Sequence, residues 1–160
     1  MTDSWVIPGL FLVGFLTGLR TMTPIAVLCW MAMLGRIAMA PGWVEFAANK
    51  ISVGIFSVAA LAEIVVDKLP STPSRLRAPG LIARMVFGGV CAAILASTRG
   101  YSIVAGAPIG ILGAVAGAFC GWFIRTRTVA ALKCSDFPIA VIEDVVAVSG
   151  SILVCLAFGH

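Results

Sequence analysis

Histidine is nearly missing from this chain. The one residue of its kind, His160, is the last, which excludes bis-histidine haem ligation and histidine-rich zinc sites. Charge is scarce too: only 11% of the 160 residues are charged, against about a quarter in an average soluble domain. The five cysteines include no CxxC pair. Cys29, Cys91, Cys120 and Cys155 sit inside apolar runs, where a thiol behaves as a small hydrophobe, and Cys134 alone lies in a polar loop, so no disulfide framework is expected. There is no phosphate-binding glycine loop and no glycine fingerprint after a strand. Ser149 and Ser151 have no base partner and are expected to bond a neighbouring helix. The expectation is therefore a chain that is not an enzyme and holds no metal and no cofactor. The N-terminal MTDSW carries an acid and no basic n-region, so the first apolar run is expected to stay in the mature protein.

What the chain does have is apolar surface. Hydrophobic residues make up 61% of it and the mean hydropathy is +1.10. A soluble fold of this length cannot bury so much, whereas a bilayer removes the need. The expected class is all-α, a polytopic integral membrane protein with a single transmembrane domain over residues 1–160. Its first partner is the lipid bilayer. The net charge of +4 sits in short loops and does not indicate nucleic acid.

Six apolar stretches can be read: Trp5–Leu19, Thr23–Leu34, Ala47–Val66, Gly80–Ser97, Ser102–Ile124 and Phe137–Gly159. A perpendicular crossing needs about 20 apolar residues. The third, fifth and sixth stretches reach that length and the fourth nearly does; the first two are short. Arg20 and Pro24 divide them, and Thr21 and Thr23 are expected to cap the backbone groups freed there. The preferred reading is five transmembrane helices with a short or broken second helix; six is the alternative. Trp5, Trp30, Trp43 and Trp122 lie near run ends, as interfacial anchors should.

Lys68, Arg75 and Arg77 fall in one loop and Arg125, Arg127 and Lys133 in another, with two crossings between them under either count. Basic loops face the cytoplasm, which puts loops 68–79 and 125–136 inside and the C-terminus outside. The proline-rich KLPSTPSRLRAPG reads as a structured hinge. Gly106, Gly110, Gly113, Gly117 and Gly121 are three or four residues apart and share one helical face. That face is either a packing seam within the protomer or a homodimer contact. GFLTGLRTMTPIA, from Gly14, is echoed by GAFCGWFIRTRTVAA, from Gly117. With five crossings these helices would run in opposite directions, making the echo a candidate inverted repeat.

The rare charges carry most of the functional signal. Glu63 and Asp67 are four apart on one helical face, and Glu143 and Asp144 follow the start of the last run by six and seven residues. Both pairs belong to the cytoplasmic half of the bilayer, with Arg84 at a similar level. A charge at mid-bilayer costs about 2.5–3.5 kcal/mol on insertion scales. These acids therefore call for pairing with Arg84 or Lys68, for protonation, or for a wet cavity. They form a charge cluster that locks helix register, a cation- or proton-handling pathway, or a protein or lipid contact. Arg20 is expected on the opposite side, reaching the outer headgroups or lining a cavity there.

Three segments, TGLRTMTPIAVLC, LAEIVVDKLPSTPSRLRAPGLIARMVFGGVCAA and FPIAVIEDVVAV, together resemble the uncharacterised bacterial membrane family called domain of unknown function 4126. The shared features are Gly18–Leu19–Arg20 with Pro24, Glu63 with Asp67, Lys68 and Pro70, and Glu143 with Asp144. The loops STPSRLRAPG and LKCSDFP depart from the family's usual pattern. The resemblance implies an α-helical membrane protein and brings no assigned reaction; the expected location is the bacterial inner membrane. The function expected first is a small transporter or channel using Glu63, Asp67, Arg84, Glu143 and Asp144, with Arg20 on the other side. The rival is a non-catalytic helical subunit of a larger membrane complex, docking through the glycine face; a homo-oligomer is compatible with the first.

Overall fold

The computed structural model describes residues 4–39, 41–67, 78–132 and 135–159. Among these the regular structure is helical: α1 (Val6–Leu19), α2 (Met22–Met33), a short 3₁₀ helix (Trp43–Ala48), α3 (Lys50–Val66), α4 (Ala78–Thr98), α5 (Ile103–Leu132) and α6 (Asp136–Phe158). Of the hinge expected over 68–80, residues 78–80 open α4 instead, since proline and glycine are tolerated in a first helical turn; residues 68–77, with Lys68 as a counter-charge, Cys134 and His160 lie outside the described residues.

Three helices, α4, α5 over Ile103–Ala131 and α6, are long and apolar enough to cross a membrane. At 1.5 Å per residue α1 and α2 reach only about 21 and 18 Å, short of a ~30 Å hydrocarbon core. Even so, the helices alternate in direction. The Trp5 ring meets Phe158 edge-on at 4.7 Å, and Arg20 pairs with Asp144 at the other end, so α1 and α6 are antiparallel. Trp30 Nε1 donates to Ser57 Oγ (2.9 Å) while the start of α2 meets Glu63, so α2 runs back along α3. Six α-helices alternate among the described residues, which is the arrangement the six-crossing alternative requires. Pro24 falls in the first turn of α2, where its missing N–H costs nothing, and it starts a helix instead of breaking one. Gly35 (φ +67°) and Gly100 (φ +69°) close α2 and α4. Each sits in the left-handed turn that lets the next N–H return five residues, Arg36 to Met31 and Tyr101 to Ala96.

α5 is the axis of the bundle. Its glycine face is packed within the protomer: a side chain at Gly110 would meet the Gly88 carbonyl on α4, and at Gly113 or Gly117 the Phe11 or Phe15 carbonyl on α1. Gly106 lies against Ala96, and Gly121 is buried. The helices on either side answer in kind, with Gly14 and Gly18 on α1 against Gly110 and Ala114. These contacts advance together along both chains, so α1 and α5 are parallel. That corrects the inverted-repeat expectation: the echoing segments lie side by side, pointing the same way. A run of small residues lets two backbones approach whatever their direction, and the motif alone does not encode polarity.

Two further expectations are corrected. Ser149 and Ser151 bond their own helix, to the carbonyls of Val145 and Ala147 (2.6 Å each), because a hydroxyl in a helix finds the carbonyl four residues back before any neighbour. And α5 does not end at Ile124; residues 125–132, expected in a cytoplasmic loop, continue the helix. Falling hydropathy marks where lipid ends, but RTRTVAAL contains no glycine or proline to stop a helix. Of the cysteines, Cys29, Cys91 and Cys155 are buried, Cys120 is exposed, and all four are free. The four tryptophans are all partly exposed, as anchors require.

α3 lies at the edge, packed on α2 with only Val53 and Ala60 buried, and Gly54 faces open space. Gly54→Ala should therefore stabilise the protein by about 0.5–1 kcal/mol through the unfolded chain and helix propensity. Denaturant titration in mixed micelles checks it; a loss of stability would show that Gly54 is covered in solution.

Candidate functional site

One end of the bundle gathers the charges. Arg20 occupies the joint between α1 and α2, in extended backbone, and its side chain is only 1% exposed. Its Nη1 lies 2.9 Å from Asp67 Oδ2 at the end of α3, and its Nε lies 2.6 Å from Asp144 Oδ1 on α6. The Nε approach is a charge contact, not a directed hydrogen bond, and Nη2 has no hydrogen-bond partner among the described residues. Arg125 on α5 reaches the same Asp67 Oδ2 with Nη1 (2.7 Å), lies 3.5 Å from Glu143 Oε2, and grips the Asp136 carboxylate with Nε and Nη2. Asp67 thus bridges two arginines held by different helices.

The joint itself is built around Glu63. Its carboxylate takes the backbone N–H of Thr21 on Oε1 (2.7 Å) and of Met22 on Oε2 (2.8 Å), so the anion sits on the positive start of α2. Among the described residues Thr21 makes no side-chain cap and Thr23 Oγ1 finds no hydrogen-bond partner, which corrects the expectation that these hydroxyls close the break. A carboxylate with two oxygens satisfies two adjacent donors at once; a hydroxyl satisfies one. Arg84 on α4 donates to the carbonyls of Gly18 (Nε, 3.0 Å) and Gly80 (Nη1, 3.1 Å), tying α4 to the end of α1.

Each of the six helices therefore contributes to one polar cluster. A guanidinium this dry has lost a solvation energy of several kcal/mol, which only close carboxylates can offset. Asp67, Glu143 and Asp144 meet the arginines of the cluster directly, Glu63 sits on the joint, and Arg84, expected to pair with the acids, lies beside them on the Gly18 and Gly80 carbonyls. Arg20 belongs to the cluster too, and its placement on the opposite side is overturned: α2 turns back at once, so the joint lies at the same end as the close of α3 and the start of α6. Arg125 and Asp136 were not singled out as site residues. The signal for Arg125 was the echo itself, since the parallel glycine contact of α1 with α5 carries the two Arg-Thr-x-Thr steps to neighbouring places.

Beside the cluster, α5 and α6 part. The crevice between them has a volume of about 230 Å³, floored by Phe15 and Leu19 of α1, walled by Gly121 and Ile124 on one side and Ile139, Ile142 and Val146 on the other, with Arg125 and Glu143 at its polar end.

Apolar helices long enough to span, closed at one end by a shared ion-pair network, define a polytopic α-helical membrane protein. The chain belongs to the family described as Domain of unknown function (DUF4126), whose model matches residues 10–157. No curated protein and no solved structure matches it.

Proposed function

We propose that this protein is a small transporter or channel of the bacterial inner membrane, gated by the Arg20–Asp67–Arg125 bridge. The observation that carries this reading is the single Asp67 oxygen shared by Arg20 and Arg125. Protonation of Asp67, or competition by a cation, weakens both pairs together, freeing the α1–α2 joint from α5. Asp144, already 2.6 Å from Arg20, and Glu143, already 3.5 Å from Arg125, then hold the arginines apart from Asp67. The cluster end faces the cytoplasm in this reading: Lys68, Arg75, Arg77, Arg125, Arg127 and Lys133 gather near it in the sequence, against Arg36, Lys50 and Arg99 near the other.

The subunit reading relied on the glycine face of α5 as a docking surface. That face is covered by α1 and α4 within the protomer, which favours a self-contained unit, alone or as a homo-oligomer. The test is flux in proteoliposomes loaded with a pH-sensitive dye and exposed to proton, sodium or potassium gradients. Asp67→Asn is expected to reduce flux at least about tenfold, roughly 1.4 kcal/mol or more, with the elution profile in detergent unchanged. Unaltered flux in that variant, or none in the unmodified protein under any of these gradients, would remove the proposal.

A further inference from the structure

We infer that the crevice between α5 and α6 is a lipid site, taking one acyl chain of a bilayer phospholipid with the phosphate on Arg127. The inference does not depend on the transport reading. Ile142 is 62% exposed and Ile124 58%, so the crevice opens sideways, where the surrounding solvent is lipid. Its walls offer water no set of polar partners, which a buried water needs. From Ile139 to Val146 it runs about 10 Å along α6. Its volume of about 230 Å³ leaves room for a run of several methylene groups. A chain is the shape that fits: narrow, apolar and long enough to continue into the bilayer past Val146.

The headgroup end is set by charge. Arg127 stands one turn beyond Ile124 on the same face of α5. It is exposed, lies over the Phe123 ring at 5.1 Å, and makes no ion pair among the described residues. Arg125 is different, being occupied by Asp67, Asp136 and Glu143. A phosphate therefore finds its cation at Arg127, while the chain below lies against the Arg125–Glu143 pair and excludes water from it.

Native mass spectrometry of the detergent-purified full chain tests this, with dioleoylphosphatidylglycerol and with dioleoylglycerol, which has the same chains and no phosphate. One retained phospholipid per protomer is expected. Val146→Trp fills the crevice and should cut retention at least about tenfold; if it does not fold, Ile142→Trp fills the same space from the next turn. R127Q should weaken phosphatidylglycerol about fivefold, the worth of one cation near a surface, and leave dioleoylglycerol unchanged. Absence of the single-lipid adduct on the unmodified chain, or equal retention by the filled variant, overturns the site. Equal effects of R127Q on both lipids overturn the phosphate contact.

Discussion

Replacing Arg20 with methionine is expected to cost about 3–5 kcal/mol of folding stability, the range for removing one partner of a buried ion pair. Methionine fills much of the volume, so the loss reports charge and not a cavity. Asp144 loses a cation at 2.6 Å, and Asp67 loses one of the two arginines that share its Oδ2. The second substitution that relieves the strain is Asp144→Asn, which removes the charge left behind; the double variant should recover a sizeable part of the loss. Arg20→Lys should recover little, because one ammonium cannot face Asp67 with one nitrogen and Asp144 with another. Denaturant titration in mixed micelles measures all three. An Arg20→Met protein as stable as the original would mean that the cluster is hydrated and its charges contribute nothing to the fold.

Gly117→Val should be the most disruptive apolar change. A β-carbon there would stand 2.0 Å from the Phe15 carbonyl oxygen and 2.8 Å from its carbon. Those are backbone atoms of α1 and cannot swing aside, so α1 must separate from α5. Overpacking a well-filled core costs about 1–3 kcal/mol and occasionally more. Here the whole seam opens, with Gly113 and Gly14 in register, and the upper end or beyond is expected. Monodisperse yield after extraction should fall at least several-fold, since even about 1–2 kcal/mol does that in a marginal fold. The contrast with Gly54→Ala separates packing from propensity: both replace a helical glycine, and only one meets a neighbour. A normal yield of Gly117→Val would show that α1 does not rest on α5 as described.

The membrane class and the acid positions were legible because charge is so rare in this sequence that every carboxylate inside an apolar run stands out. Glu63 and Asp67 could be placed on one face by spacing alone. Their partners could not. Arg125 looked like a loop residue because hydropathy falls at Ile124, while the helix continues to Leu132. The end at which Arg20 lies is not legible, because a helix of 12 residues reads as too short to turn the chain back, and only the contacts of Arg20 with α3 and α6 show that it lies with the acids. The capping of α2 by Glu63 joins positions 42 residues apart, a separation at which local sequence carries no signal.

That last contact also constrains how the chain can be made. Inside a bilayer an N–H without a partner costs several kcal/mol, and the two donors opening α2 have none until residue 63 is in place. The elbow after α1 therefore cannot be completed while only the first two helices have been synthesised. In the finished fold one carboxylate thus makes the start of the second helix dependent on the end of the third, and the N-terminal three helices form one structural unit.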